Sequence, residues 1–351
     1  VVDKVSTTVN AAGAVKSQSM RAVPEPEESA EMVPEGHFIK GMSTLTDGAG
    51  NIRAQWTKTA VDAEQREAAL QAAIRTLAEG LPALPLIQLT DNHSSNELLN
   101  LYTFTDCHVG MLAWARETGE PWDLRIAEHV LVQTFANMIA AAPNAEVGIV
   151  NQLGDFLHFD GLEAITPTSQ HNLDADSRFQ KMVEVAVRIL ESIIVLALQK
   201  HQRVVVFMHE GNHDMASSVW LRVLFARVFR DNPRVTVEQT PNPYVAYQHG
   251  ATMLGFHHGH LAKKERLPMI FAAQYSEMWG RTKFREIHTG HLHSEEVKEY
   301  PGIKTRQHPT LSAKDAYAAR FGYHSLRSAT CWTYHKGKGN VGSLNFAPDE
   351  A

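Results

Sequence analysis

The sequence predicts an α/β domain built around a largely parallel sheet, beginning near residue 99. Three observations predict it. Apolar segments of strand length alternate with long amphipathic ones; the first three strand segments are apolar enough to be buried on both faces; and each ends in a cluster of Gly, Asp, Asn or His.

In chain order, residues 1–36 are rich in Ala, Ser, Glu and Pro, include the run Pro24-Glu25-Pro26-Glu27-Glu28, and read as a flexible linker. Residues 37–98 read as an appendage, a hairpin around Asp47-Gly48-Ala49-Gly50 followed by a helix over 61–79. That helix places Leu70, Ile74 and Leu77 at helical spacing and is ended by Gly80 and Pro82. The main domain is 99–351. Its first strands are expected at 101–105, 146–151 and 203–208, with helices near 123–142 and 176–200 between them. The second helix carries a polar stripe at Lys181, Glu184, Arg188 and Glu191, three and four residues apart, so its other face packs on the sheet. A further helix near 217–229 precedes short strands at 244–248, 252–256, 286–289, 329–334 and 341–346, and no internal repeat is present.

Composition narrows the class of protein. A chain of 351 residues with 44% hydrophobic and 21% charged residues suits one large soluble domain with an appendage. Its longest apolar run, 189–198, is interrupted by Glu191 and Ser192 and falls short of the roughly 20 residues needed to span a bilayer, so no membrane association is expected. The opening residues VVDKVSTTVN lack the basic and apolar regions of a secretory signal. With only Cys107 and Cys331, no disulfide framework is expected, which points to a reducing, cytoplasmic location. A net charge of −6 argues against a wholly basic nucleic-acid-binding surface but leaves room for a local basic groove.

The 19 histidines concentrate at segment ends. Thr105-Asp106-Cys107-His108 follows the first strand, Gly154-Asp155 the second, and Gly211-Asn212-His213-Asp214 the third; His257-His258-Gly259-His260 and Gly290-His291-Leu292-His293 follow two later strands. Ligands of open α/β sheets bind beyond the carboxyl ends of the strands, so the five clusters should meet at one rim. Their glycines permit the tight turns that ligand-bearing loops need. In extended backbone His291 and His293 share a face. Carboxylate, imidazole and amide oxygen without thiolate suit Mn²⁺, Fe or Zn²⁺ rather than a structural zinc knot. Cys107 reads as a packing residue, while His37, His93, His171, His201 and His249 read as surface or turn residues.

These five clusters, in this order, resemble the signature of calcineurin-like metallophosphoesterases over roughly 101–293. The resemblance implies a sandwich of two mixed β-sheets flanked by helices and a pair of divalent ions, Mn²⁺ foremost. It assigns Asp106, His108 and His293 to the first ion and Asn212, His258 and His291 to the second, with Asp155 bridging both. Two ions about 3.5–4 Å apart activate a water as nucleophile and clamp the phosphate. His213 would serve as the acid toward the leaving oxygen, oriented by Asp214. His158, in Gly154-Asp155-Phe156-Leu157-His158, is a candidate substrate contact.

For the substrate, Gly154-Asp155-Phe156-Leu157-His158-Phe159-Asp160-Gly161 lacks the arginine that serine/threonine protein phosphatases carry in this motif. The stretch Thr105-Asp106-Cys107-His108-Val109-Gly110 is more similar to the opening of SbcD-type DNA exonucleases. Pro309-Thr310-Leu311-Ser312 and Phe321-Gly322-Tyr323 resemble a tail of phage-encoded phosphoesterases. Basic clusters at Lys263-Lys264-Glu265-Arg266, 281–285, 304–306 and 336–338 offer contacts for a phosphate backbone. The expected activity is phosphodiester hydrolysis, in DNA first and in a nucleotide or cyclic nucleotide second, with a homodimer compatible with the resemblance. A catalytically silent interaction scaffold is the rival reading, opposed by the retention of all seven ligands and His213.

Overall fold

The computed structural model describes residues 2–9, 15–22, 37–47, 52–61, 86–90, 94–167 and 169–348. The chain divides into two units, 1–73 and 74–351. In the first, β1 (Val2–Val9) pairs antiparallel with β2 (Val15–Ala22), and β3 (His37–Thr46) with β4 (Ile52–Val61). The hairpin expected around 47–50 is thus formed by β3 and β4. Two strands occupy part of the stretch read as linker. Their Ser, Thr and Lys content hid the β-branched Val and Thr residues that favour extended backbone. The helix expected over 61–79 falls outside the described residues, apart from Val61, which ends β4.

The second unit holds two mixed sheets flanked by helices. One has the order β15-β14-β5-β6-β7-β8, the other β12-β13-β11-β10-β9. In the first, β5 (Ser95–Phe104), β6 (Ala145–Gln152), β7 (Arg203–Met208) and β8 (Val235–Val237) run parallel, while β14 (Ala329–His335) and β15 (Gly339–Phe346) add antiparallel. In the second, β10 (Thr252–Phe256), β11 (Phe284–Thr289) and β13 (Ile303–Gln307) are parallel, edged antiparallel by β9 (Val245–His249) and β12 (Glu296–Tyr300).

Period-two alternation explains why the central strands read as continuous apolar runs. Leu99 and Leu101 of β5, Val147 and Ile149 of β6 and Phe207 of β7 pack with Leu254 and Phe256 of β10 between the sheets. The alternate residues Tyr102, Phe104, Val150, Val204 and Val206 face a second core, built with helices α2 (Leu124–Ala141), α3 (Phe179–Lys200) and α4 (Met215–Val228), which follow the short α1 (Ala115–Thr118). A third core, around Met253, Ile287 and Phe271, sits under α5 (Leu267–Gln274) and α6 (Ser276–Arg281). Each fully buried Leu, Ile or Phe contributes about 1.5–3 kcal/mol. Asp123 caps α2 by accepting from Ile126 N at 2.7 Å, fixing where that helix starts.

Strands β8, β12 and β13 were not expected. β12 is exposed along Glu296–Glu299, and β13 buries Thr305, Arg306 and Gln307, so neither shows an apolar pattern. His201 and His249, read as surface residues, are buried. His201 bridges the Tyr102 hydroxyl and the Ala145 carbonyl oxygen, both at 2.8 Å, and His249 Nε2 lies 3.0 Å from Glu97 O. Their position at strand and helix ends concealed these internal partners.

Parallel register positions the loops. Phe104 is paired with Gln152 and Gln152 with Met208, so the chains leaving β5, β6 and β7 emerge side by side; Phe256 and His288 are paired likewise on the other sheet. No described helix is long and apolar enough to cross a membrane.

Candidate metal centre

The loops after β5 and β6 are sewn together by their backbones. Asp106 N donates to Gly154 O at 3.0 Å, His108 N to Asp155 O at 3.1 Å and Val109 N to Phe156 O at 2.8 Å. Across the sandwich, Gly290 N donates to His258 O at 2.7 Å. These bonds hold the loops in unusual conformations. Among the described residues six non-glycines have positive φ, and five of them are Asp106, His108, Asp155, His291 and His293. Each such conformation costs on the order of 1–3 kcal/mol and persists only where the surroundings enforce it.

Two glycines make the convergence possible. Gly154 has φ 96°, and a Cβ there would lie 2.5 Å from His258 Nδ1. At Gly211 a Cβ would lie 2.0 Å from Asp155 Oδ1.

The side chains gather into three groups with ligand atoms within 4.8 Å of one another: Asp106, His108 and His293; Asp155, His258 and His291; and His108, His158 and His213, which shares His108 with the first. His293 Nε2 is 3.1 Å from Asp106 Oδ1 and 3.3 Å from His108 Nε2. His258 Nε2 is 3.2 Å from Asp155 Oδ2 and 3.9 Å from Asp106 Oδ1, so His258 and Asp106 join the first two groups. Asp155 stands with His258 and His291, and its Oδ1 accepts from His213 N at 2.8 Å.

The residues fit a divalent cation. Asp106 Oδ1, His258 Nε2 and Asn212 Oδ1 are buried with no hydrogen-bond partner among the described residues. For the first two, oppositely charged neighbours stand within about hydrogen-bond distance yet are not aligned to bond, as expected when several ligands aim at a shared point. His258 Nδ1 lies 2.8 Å from Leu153 O, which can only accept, so the proton is on Nδ1 and Nε2 is left for ligation. Thr105 Oγ1 and His291 N both donate to Asp106 Oδ2, at 2.6 and 2.9 Å, leaving Oδ1 to the centre.

Charge balance gives the same reading. Burial disfavours a charged His258, but the Asp155 and Asp106 carboxylates hold its imidazole up at about 10. Burial likewise opposes ionisation of Asp106, yet His293 and His258 hold it well below the ordinary carboxylate range. In the absence of an ion, protons on these imidazoles balance the two carboxylates; a cation takes their place. His108 is depressed by burial and by His213 and His293, which favours the neutral ring that ligates.

His213 adjoins the first group, its ring centroid 4.7 Å from that of His108. Its Nδ1 lies 2.8 Å from His158 O and therefore donates, which leaves Nε2 for proton transfer. Asp214 has a different part from the orienting one expected of it. Its carboxylate accepts from four backbone N–H groups, those of Asp155, Phe156, Leu157 and Gly211, at 2.7–3.2 Å. Burial and the nearby Asp155 and Asp160 carboxylates push Asp214 up to about 8, against the Gly211 and Leu157 amides, which lower it. Asp214 is a clamp on the ligand loops, and the orienting partner of His213 is the His158 carbonyl.

The His158 ring is buried, with Nδ1 3.3 Å from His108 Nδ1, while the residue borders a cleft of about 380 Å³ shared with Asn212, His213, His171, Asp315 and Tyr317. Cys107 is buried with its thiol toward Thr105 O. Sequence reasoning missed Thr310 and Ser312, whose hydroxyls donate to Asp106 O at 2.6 and 2.9 Å. Within the basic clusters four residues pair internally, Lys264 with Glu296, Lys304 with Glu299, Arg281 with Glu277, and Arg306 with Glu286.

No family model matches the chain, and no curated protein matches it. Solved structures similar to it include a predicted phosphoesterase from Streptococcus pneumoniae TIGR4, at 11% identity and TM-score 0.31, covering 72% of this chain and 99% of that one. Another is the zinc complex of wild-type Vps29 from Entamoeba histolytica, at 12% identity and TM-score 0.30, covering 71% and 98%. A third is an archaeal phosphodiesterase, at 10% identity and TM-score 0.36, covering 70% and 99%.

Proposed function

We propose that this chain is a metal-dependent phosphoesterase that hydrolyses phosphodiester bonds, in DNA and from a strand end. One observation carries the reading: two carboxylate–imidazole groups joined through Asp106 and His258, with three buried ligand atoms left without hydrogen bonds, beside a cleft bordered by His213.

Asp106, His108 and His293 would hold one divalent ion and Asn212, His258 and His291 a second, with Asp155 shared between them, Mn²⁺ foremost and Fe or Zn²⁺ as alternatives. When bound, such ions polarise the phosphate and activate a water at neutral pH. The protein's own contribution is positional. Leu153 O and Thr105 turn His258 and Asp106 toward the centre, and Asp214 locks the loops that carry Asp155 and Asn212. His213, anchored through Nδ1, gives a proton from Nε2 to the departing oxygen, a contribution of about 10²- to 10⁴-fold.

The cleft beside His213, about 380 Å³, is in the size range of small-molecule sites, which keeps a nucleotide or cyclic-nucleotide phosphodiesterase as the second reading. Purified protein with Mn²⁺, given single- and double-stranded DNA, cyclic dinucleotides and a phosphomonoester, separates the two. Release of nucleotides from DNA supports the first reading and turnover of cyclic dinucleotides alone the second; hydrolysis of the monoester alone defeats both.

A further inference from the structure

The segment from His308 to Ser328 connects β13 to β14 and does two things. Its beginning braces the metal centre, since Thr310 and Ser312 donate to the Asp106 carbonyl oxygen. Its middle forms a short helix, α7 (Ala316–Arg320), capped by the Asp315 carboxylate, which accepts from Ala318 N at 2.7 Å. From this helix and the turn after it project Tyr317, Phe321 and Tyr323, respectively 59%, 58% and 60% exposed.

The three rings touch one another rather than the core. Tyr317 and Phe321 have centroids 4.6 Å apart, and Phe321 and Tyr323 lie 6.3 Å apart and 24° from parallel. A grouped aromatic surface left in water marks a binding site more often than chance exposure does. Tyr317 also borders the cleft that contains Asn212 and His213, so the platform continues into the candidate centre. The half-buried Lys314 and the exposed Arg320 and His324 lie within a few residues of the rings in sequence, Lys314 Nζ 3.4 Å from His324 Nδ1, and offer cationic contacts to the phosphates of a bound strand.

We infer that Tyr317, Phe321 and Tyr323 form a stacking platform for an unpaired base at the end of a single DNA strand, holding its terminal phosphodiester beside His213. The inference rests on the phosphodiesterase reading of the same site. An unpaired base has free π-faces that match these rings, whereas in a duplex those faces are already stacked on neighbouring pairs.

The test uses the full chain with Mn²⁺ and a phosphorothioate-linked, cleavage-resistant single-stranded oligonucleotide ending in 2-aminopurine. Stacking quenches this base, so wild type is expected to quench it. The combined Tyr317→Ala, Phe321→Ala, Tyr323→Ala variant is expected to bind about tenfold or more weaker with the quench lost, and Tyr317→Phe is expected to retain both. With cleavable strands, the preference in kcat/KM for a base-bearing over an abasic end should fall about tenfold in the triple variant. Absence of quenching by wild type, equal binding of an abasic-ended strand or of a blunt duplex, or an unchanged triple variant overturns the platform. Quenching without hydrolysis of any diester leaves the platform standing and removes the enzymatic reading instead.

Discussion

His258 Nε2 stands 3.2 Å from Asp155 Oδ2, both buried, in a geometry that forms no hydrogen bond. Contact without alignment is costly unless a third partner satisfies both atoms, and a divalent cation between them does so. His258→Ala is therefore expected to lower bound metal by at least one ion per chain and activity by at least about 100-fold. Elemental analysis of the purified variant beside wild type checks the first, and an unchanged metal content would refute it.

Gly211 offers a sharper steric test. A methyl group there would meet Asp155 Oδ1 at 2.0 Å and Asp155 N at 2.3 Å, so the ligand loop must shift. Gly211→Ala should reduce activity by at least about 100-fold while the fold, held by cores elsewhere, persists; circular dichroism and a rate assay read the two effects.

His213→Asn should lower kcat most where the leaving group is a poor alkoxide, by about 10²- to 10⁴-fold, and far less for an activated aryl ester. Equal losses on both substrates would mean that His213 binds rather than protonates.

Asp214→Ala removes the acceptor of four backbone N–H groups and should destabilise the chain by about 2–4 kcal/mol, with Asp214→Asn costing less because one oxygen still accepts. Urea denaturation measures both. Were Asp214 chiefly an orienter of His213, the two variants would instead match in stability and differ in kcat.

Acid should destabilise the fold through buried histidines that are not among the ligands. Burial lowers His201 to about 4 and His288 to about 3, so both are neutral when folded at pH 6.5. Their folded values lie below the unfolded one, so the unfolded chain binds more protons. Stability is full above pH ~6.5 and falls as pH drops toward these values, by up to ~1.4 kcal/mol per pH unit for each histidine. Denaturation midpoints between pH 7 and 4 should decline on this slope, and His201→Gln should flatten it.

Much of this molecule is legible in its sequence. The strand segments at 146–151 and 203–208 were readable because β6 and β7 bury both faces, and the ligand clusters because each directly follows a strand end. What escaped had its cause in three dimensions. The hydroxyls of Thr310 and Ser312 reach an Asp106 carbonyl about 200 residues away in sequence, which no local pattern announces. The resemblance implies that Asp214 orients His213, but its carboxylate accepts from backbone amides, most of them on a distant loop. Strand β12 lacked a signal because its side chains are solvated, and the helix over 61–79 lies outside the described residues.

Anomalous diffraction from Mn²⁺-soaked crystals tests the central claim most directly. The account predicts two peaks about 3.5–4 Å apart, one among Asp106, His108 and His293 and the other among Asn212, His258 and His291, with Asp155 beside both. Peaks elsewhere, or none beside Asp106 and His258 at saturating metal, would contradict it.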